Sequence, residues 1–461
     1  MTTAPISSPT ALTAVGAFAC LVVALQQTLV VPAVPGLPAE LGTSAAAVSW
    51  LVTATLLSGA VATPILAQLS DLFGRRRIML VAMTAVLVGS VIAPWGGLGT
   101  LIAGRALQGL GTAVVPVAMS QMRDSLPPDR IPRALAILSA VLGVGGGLGI
   151  PLGGLITTTL GWPWLFWVSA LLSVASLVAI GRVIPRGSGS AHAPFDLTGS
   201  VLLALGLLAL LTGVSQGNAW GWTSPLTLAL LVLGVLVLLG WGVFELRTPA
   251  PLVDLRATAA RPVLLTNIAS LLLGMLMFAN LLLTTQQLQN PTEAGGFGWD
   301  ATAAGLAMLP NAAAMLVVAP LTAWLARRRG PRGVLAVGGV VTALGYLGRL
   351  LFTGDALGAV VWATVIGVGV GIGYAALPML IAAHAEPRQI GAANGINALT
   401  RAIGTAVASA GVSALAVLLS VPVAGHRVPG PASFAVSGGA AVLVAVLVAL
   451  CASGIRAVRR H

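Results

Sequence analysis

Lysine is absent from this sequence, acidic residues number only 11, and histidine and cysteine are rarer still. Without lysine there is no GxxxxGK[ST] loop to cradle phosphates, which excludes an ATP-driven pump in this chain, and no Schiff base for a pyridoxal cofactor. The two cysteines, Cys20 and Cys451, lie far apart inside apolar runs, and His192, His384, His426 and His461 are scattered. Neither set has the spacing of a disulfide framework or a metal site, so no metal and no cofactor are expected. Charged residues make up 7% of the 461 and hydrophobic residues 57%, too lopsided a balance to clothe a soluble globule. All 23 basic side chains are arginine, giving a formal charge of +12. They sit in short loops between apolar runs, where anionic headgroups are their neighbours, so the expected partner is the lipid bilayer and not nucleic acid.

What the sequence has in abundance is long apolar runs. Broken at proline, glycine and charge clusters, they fall near 12–34, 45–70, 78–98, 100–122, 134–157, 162–184, 197–217 and 224–245; after a connector they resume near 262–288, 301–326, 333–353, 356–382, 390–418 and 433–455. Each approaches the ~20 residues a span requires, which predicts an all-α integral membrane protein with about fourteen helices. The run from Ala11 to Val34 has no basic n-region and exceeds a signal-peptide core, so it is read as the first span. An even count puts both termini on one side. If that side is the cytoplasm, 19 loop and tail arginines from Arg75 to Arg388, with Arg456, Arg459 and Arg460, fall inside and Arg427 alone falls outside. That asymmetry predicts cytoplasmic termini in the cell (inner or plasma) membrane. Pro64 precedes Gly74 by ten residues in one basic turn, and Pro320 precedes Gly330 by ten in another. The matched registers predict two six-helix bundles, 1–190 and 257–461, separated by a two-helix insert, 191–256.

Three motifs carry a resemblance to a known family. PILAQLSDLFGRRR, Pro64 to Arg77, resembles the GxLaDrxGRr signature between the second and third helices of the major facilitator superfamily, with Asp71, Gly74, Arg75 and Arg76 in register and Ala67 in place of the first glycine. Glycine permits a tight turn there, and Asp71 can pair with the arginines and helix-end dipoles to latch one conformation. LIAGRALQGLGTAVVP, Leu101 to Pro116, is similar to the fourth-helix signature of drug:proton antiporters through Arg105, Gln108, Gly109 and Gly111. GVGGGLGIPLGG, Gly143 to Gly154, resembles the glycine-rich fifth-helix signature, although Ile150 stands where proline is usual and Pro151 follows it. Gly145, Gly149 and Gly153, with Gly154 beside them, form a smooth stripe suited to close helix packing. Gly367, Gly369, Gly371 and Gly373 form a comparable segment later in the chain. Trp162, Trp164 and the FDLTGS stretch also resemble the fourteen-helix drug-exporter branch, the multidrug and antibiotic efflux type. The resemblance implies the major facilitator fold in a 6+2+6 arrangement and efflux of small organic molecules by alternating access with proton antiport.

One departure bears on coupling. The branch's first helix reads LDxTIVNVALP, whereas this chain reads LQQTLVVPAVP, so Gln26 replaces the acid and Val31 the asparagine. All eleven acids (Glu40, Asp71, Asp124, Asp129, Asp196, Glu245, Asp254, Glu293, Asp300, Asp355 and Glu386) fall in loops or at helix ends, so no buried acid is expected. Polar stripes in apolar helices suggest a central cavity: Gln26 and Gln27 on the first helix; Asn280, Thr284 and Gln287 on the ninth; Asn394, Asn397 and Arg401 on the thirteenth. For the amides of the first and ninth helices interhelical hydrogen bonds serve equally well, whereas Arg401 is expected to contact substrate or act in gating. Arg401 lies about 15 Å from the cytoplasmic end, near the midplane, where a cation needs an anion, carbonyls or water. Arg105 lies about 7 Å below the outer end and could face the interior or snorkel outward. One deep cation and no acid predict a cargo that is neutral or anionic and partly apolar. An enzyme would need acid, histidine or metal sites near the interface, and a channel a filter or ring of charge; no enzymatic activity is expected. An uncoupled facilitator, or an importer of a neutral or anionic metabolite, stays open beside efflux. The expected partners are a small-molecule substrate, lipid and protons, with the chain acting as a monomer.

Overall fold

Each apolar run folds as a helix because lipid offers its backbone no other partner, and several runs begin at a side chain that caps the first free N–H groups. Asp196 accepts from Gly199 N at 2.7 Å and Asp355 from Gly358 N at 2.6 Å. The computed structural model describes residues 8–34, 36–187, 195–249, 251–253, 255–352, 354–385, 390–423 and 426–455. His192, Asp254, Glu386, Arg388, Arg456, Arg459, Arg460 and His461 lie outside them.

The amino-terminal spans are α1 (Pro9–Leu29), α2 (Trp50–Phe73), α3 (Arg75–Ile92), α4 (Leu98–Ser125), α5 (Ile131–Thr159) and α6 (Pro163–Val183). Two more, α7 (Leu197–Trp220) and α8 (Pro225–Glu245), lead to α9 (Arg261–Gln289). Next comes one 44-residue helical run, Leu309–Phe352, broken by Gly330 at φ 69° and ψ 170°. Its arms, 309–329 and 331–352, are α10 and α11. The chain then forms α12 (Ala356–His384), α13 (Ile390–Leu418) and α14 (Pro431–Gly454). Among the described residues thirteen helices are long and apolar enough to cross a membrane when the broken run is counted once. Taking its arms separately gives the expected fourteen.

The structure corrects several boundaries. The first span runs to Ala33, close to the expected residue 34, but only Pro9–Leu29 of it is α-helix, because Pro32 takes the chain into a 3-10 turn, Val31–Ala33. The tenth begins later than residue 301, after a separate short helix, Ala301–Leu306. Helix α4 is not continuous: a 3-10 stretch, Leu110–Ala113, interrupts it just ahead of Pro116, which has no N–H for the carbonyl of Thr112. The all-α expectation misses a two-stranded antiparallel hairpin between α13 and α14, β1 (Ser420–Val423) with β2 (His426–Pro429), in register Val421 to Val428.

The repeat is visible in both turn and packing. Gly74 (φ 93°) and Gly330 (φ 69°) both adopt positive φ, which glycine reaches without a Cβ penalty. Helix α1 packs on α5 as α9 packs on α13, and α3 packs on α6 as α11 packs on α14. Contacts between the two sets run from α5 to α10 and α12, and from α2 and α4 to α13. Helices α7 and α8 form a hairpin that touches α2 and α13 through α7. Of the apolar window of α12, 83% is buried, against 11% for α8, so α12 lies at the centre and α8 at the lipid-facing edge.

The arginine-bearing turns share one end. Arg75 reaches the end of α4 through Ser120 O at 2.8 Å, Arg76 donates to Gly181 O at the end of α6, and Arg332 donates to Ser453 O in α14 at 3.0 Å. Arg133, after α4, and Arg327, before the Gly330 turn, border one common cavity.

Candidate functional site

A guanidinium in an apolar interior must find acceptors, and α4 is built to supply them for Arg105. The residue is 1% exposed, so it faces inward and does not snorkel. Its Nε donates to Leu51 O of α2 at 3.2 Å, and its Nη1 to Gln26 O of α1 at 3.0 Å and to Gln108 Oε1 at 2.8 Å. Gln108 Nε2 continues to Ser90 Oγ of α3 at 2.8 Å, and Gln26 Nε2 returns to Gln108 O at 3.2 Å. A Cβ on Gly111 would lie 3.1 Å from Gln26 Nε2, so that glycine makes room for the amide. Four spans meet in this knot. Gln27, next to Gln26, is half-buried, and Thr28 Oγ1 donates to Gly146 O of α5 at 2.8 Å.

The other half holds a cation that the sequence reading passed over. Arg349 of α11 is 5% exposed and donates to Thr284 Oγ1 at 2.5 Å and to Gln287 Oε1 at 2.7 Å, both on α9. Thr284 donates on to Asn280 Oδ1 at 3.3 Å, and Asn280 Nδ2 donates to Ala363 O of α12 at 3.1 Å. Thr284 and Gln287 are thus the acceptors of a buried arginine, and Asn280 supports Thr284 from behind. The expectation of one deep cation is corrected: Arg105 and Arg349 are both deeply buried. The signal was available, since Arg349 is a lone charge in an apolar run.

Helix α13 carries the third interior cation. Asn397 Nδ2 donates to Asn267 Oδ1 at 3.2 Å and its carbonyl accepts from Ser270 Oγ at 2.7 Å, so this amide binds α13 to α9. Gly274 of α9 lets the backbones meet there, because a Cβ on it would lie 3.2 Å from Arg401 Cα. Arg401 itself is half-buried, with its guanidinium carbon 5.3 Å from the ring centroid of Tyr374 in α12. Among the described residues no hydrogen bond or ion pair engages that guanidinium. The buried Nδ2 of Asn394 likewise has no partner there.

Between α5 and the pair α10 and α12 lies a cavity of about 810 Å³, open at the arginine-bearing end. Asp129, Arg133 and Arg327 stand at its rim, and Leu135, Pro320 and Met379 give it apolar walls. Deeper along the same seam the space shrinks to about 20 Å³, bordered by Gly146, Gly147, Asn280 and Asn311. Asn311, another residue missed from sequence, has a buried Oδ1 without a partner. Helix α5 has two glycine faces. Gly145, Gly149 and Gly153 abut the α1 backbone, where a Cβ on Gly149 would lie 2.7 Å from Leu25 O. Gly143, Gly146 and Gly147 face Met315, Met277 and Ala312 across the seam. Gly154 stands apart, with nothing nearer than 3.8 Å to its would-be Cβ.

At the turn between α2 and α3, Gly74 bends the chain and Arg75 gathers Asp71, at 3.5 Å, with Asp124 of α4. Asp124 was absent from the expected latch. The expectation of no buried acid is also corrected: Asp196 and Glu245, at the ends of α7 and α8, are 8% and 2% exposed, because the returning connector covers them.

The chain matches the family model described as Major Facilitator Superfamily over residues 16–409 and again over 263–459. It is 34% identical over 412 residues to the cephamycin export protein CmcT of Amycolatopsis lactamdurans, covering 87% of this chain and 82% of that one. It is 30% identical over 406 residues to the tetracenomycin C resistance and export protein of Streptomyces glaucescens, covering 87% and 74%. The crystal structure of the human organic anion transporter MFSD10 (TETRAN) shares its fold with a TM-score of 0.66 over 97% of this chain and all of the other, at 18% identity.

Proposed function

The chain belongs to the Major Facilitator Superfamily, and from that premise we propose that it exports small organic molecules by alternating access. As a member it is a multi-pass membrane transporter of small molecules, and relatives at 30% and 34% identity are named for export of antibiotics. The working parts in this reading are the bundles 1–190 and 257–461, which rock about the seam between α5 and α10 with α12, while the insert 191–256 rides at the edge. The cavity of about 810 Å³ is the entry chamber, and the constriction of about 20 Å³ is the closed path beyond it. Arg75, with Asp71, Gly74 and Arg76, holds the ends of α2, α3, α4 and α6 together as one gating unit. The protein works as a monomer in the plasma membrane, its termini and arginine-bearing end in the cytoplasm, where positive loops are retained.

The observation that carries this reading is Arg401, a half-buried cation near the middle of α13 with an aromatic face beside it and no protein anion paired to it among the described residues. Such a group is suited to an anionic or hydrogen-bond-accepting cargo with an apolar body. Asn394, with its unpartnered amide, lies two turns from it on α13. The test is Arg401→Ala: transport falls at least about tenfold, equivalent to ~1.4 kcal/mol, while membrane insertion and folding persist. Undiminished flux would assign Arg401 to scaffolding.

Likeness to the antiporter branch makes proton exchange part of the proposal. Gln26, at the position of the branch's acid, favours a second reading, an uncoupled facilitator of a neutral or anionic metabolite. An internal pH dye in proteoliposomes separates the two, since only an antiporter moves protons against cargo.

A further inference from the structure

Two carboxyl groups converge where the insert returns to the second bundle, and neither belongs to the seam. Asp196 caps α7, its Oδ1 accepting from Gly199 N at 2.7 Å, and its Oδ2 accepts from Leu252 N at 3.3 Å. Glu245 ends α8, and its Oε1 accepts from Val253 N at 2.5 Å. Its Oε2 is buried with no donor among the described residues. A Cβ on Gly199 would strike both Asp196 Oδ2 and Glu245 Oε2, so the two oxygens border the same small space and glycine is what leaves it open. Arginine does not relieve this arrangement. Arg256 turns away to donate to Leu246 O at 3.1 Å, and neither it nor Arg247 pairs with either carboxyl among the described residues; Asp254 lies outside them. The faces of α2 and α13 that meet the connector there are apolar, with Ile65, Ile396 and Leu399 packing in one cluster with Leu252 and Val253.

Two carboxylates bordering one buried space repel each other, and a hydrogen is what would satisfy the unpartnered Oε2. We infer that Asp196 and Glu245 form a proton-binding site in which one proton bridges Oδ2 and Oε2. The bridge closes a clasp: α7 and α8 each hold one N–H of the Leu252–Val253 connector, and the proton stops the two holders from repelling each other. Losing it leaves two buried anions, which part and release the connector from α2 and α13. The site is separate from the cargo path and does not rest on the direction or coupling of transport.

Infrared titration of the full-length protein in lipid vesicles, with hydrogen exchange of the Leu252 and Val253 amides, tests this without any cargo. Wild type should show a protonated carboxyl at neutral pH that is lost in both Asp196→Asn and Glu245→Gln. Connector opening, corrected for intrinsic exchange, should rise by about tenfold per pH unit wherever the closed clasp holds the proton and the opened one does not, and level off at higher pH where the closed clasp has lost it too. In Glu245→Gln that slope should vanish, because the amide NH2 in the place of Oε2 supplies the donor permanently; a merely structural role would leave it in place. No protonated carboxyl in wild type, a band that survives both substitutions, or an unchanged slope would overturn the site. Should a variant fail to fold, the wild-type titration still decides.

Discussion

Among the described residues each half of the molecule buries one arginine, and the two are held by different kinds of partner. Arg105 donates to main-chain carbonyls of α1 and α2 and to Gln108 on its own helix, whereas Arg349 donates to the side chains of Thr284 and Gln287 on one neighbouring helix. Carbonyls cannot be substituted away, so the first knot is fixed by the way the spans pack. The second is encoded in a stripe of polar residues and can be rewritten. Arg401 differs from both, since it lies over the Tyr374 ring and not inside a closed network. An interior cation is therefore not by itself a substrate site, and what decides is whether the fold has already used its donors.

The comparison breaks first at Arg105. Arg105→Ala should cost about 2–5 kcal/mol of stability, since each buried acceptor that loses its donor costs about 1–3 kcal/mol; thermal unfolding in mild detergent reads it. Arg105→Lys should recover less than half, because an ammonium cannot reproduce the planar fork. Arg349→Ala should cost less, about 1–3 kcal/mol, as Thr284, Gln287 and Asn280 can turn to one another. An equal loss at both arginines would erase the distinction. The smallest effect belongs to Asp124, whose side chain is 62% exposed. Asp124→Asn should shift stability by only about 0–1 kcal/mol, as exposed ion pairs do, and any change in transport rate would then report on gating and not on folding.

Much of the fold was legible from periodicity and punctuation. The runs 390–418 and 356–382 match α13 and α12 almost to the residue, and Pro-to-Gly spacing located both positive-φ turns at Gly74 and Gly330. The break in α4 was harder to see, because Pro116 is one residue in an otherwise regular pattern. The hairpin at Ser420 to Pro429 depends on pairing across a turn. Within the site, residue type pointed to the correct helices, yet it could not say whether Asn280 and Gln287 face cargo or a neighbour, since Arg349 comes from two helices later. Asp196 and Glu245 were harder still: one caps the start of α7 and the other ends α8, where acids are ordinarily solvated, and their partners, the N–H groups of Leu252 and Val253, come from the connector that returns after α8.

Cargo charge tests the central claim most directly. In proteoliposomes, a matched pair of organic molecules differing only in an anionic or a cationic group should be discriminated in favour of the anion, and Arg401→Ala should abolish that preference. Preferential carriage of the cation by the wild-type protein would contradict the account.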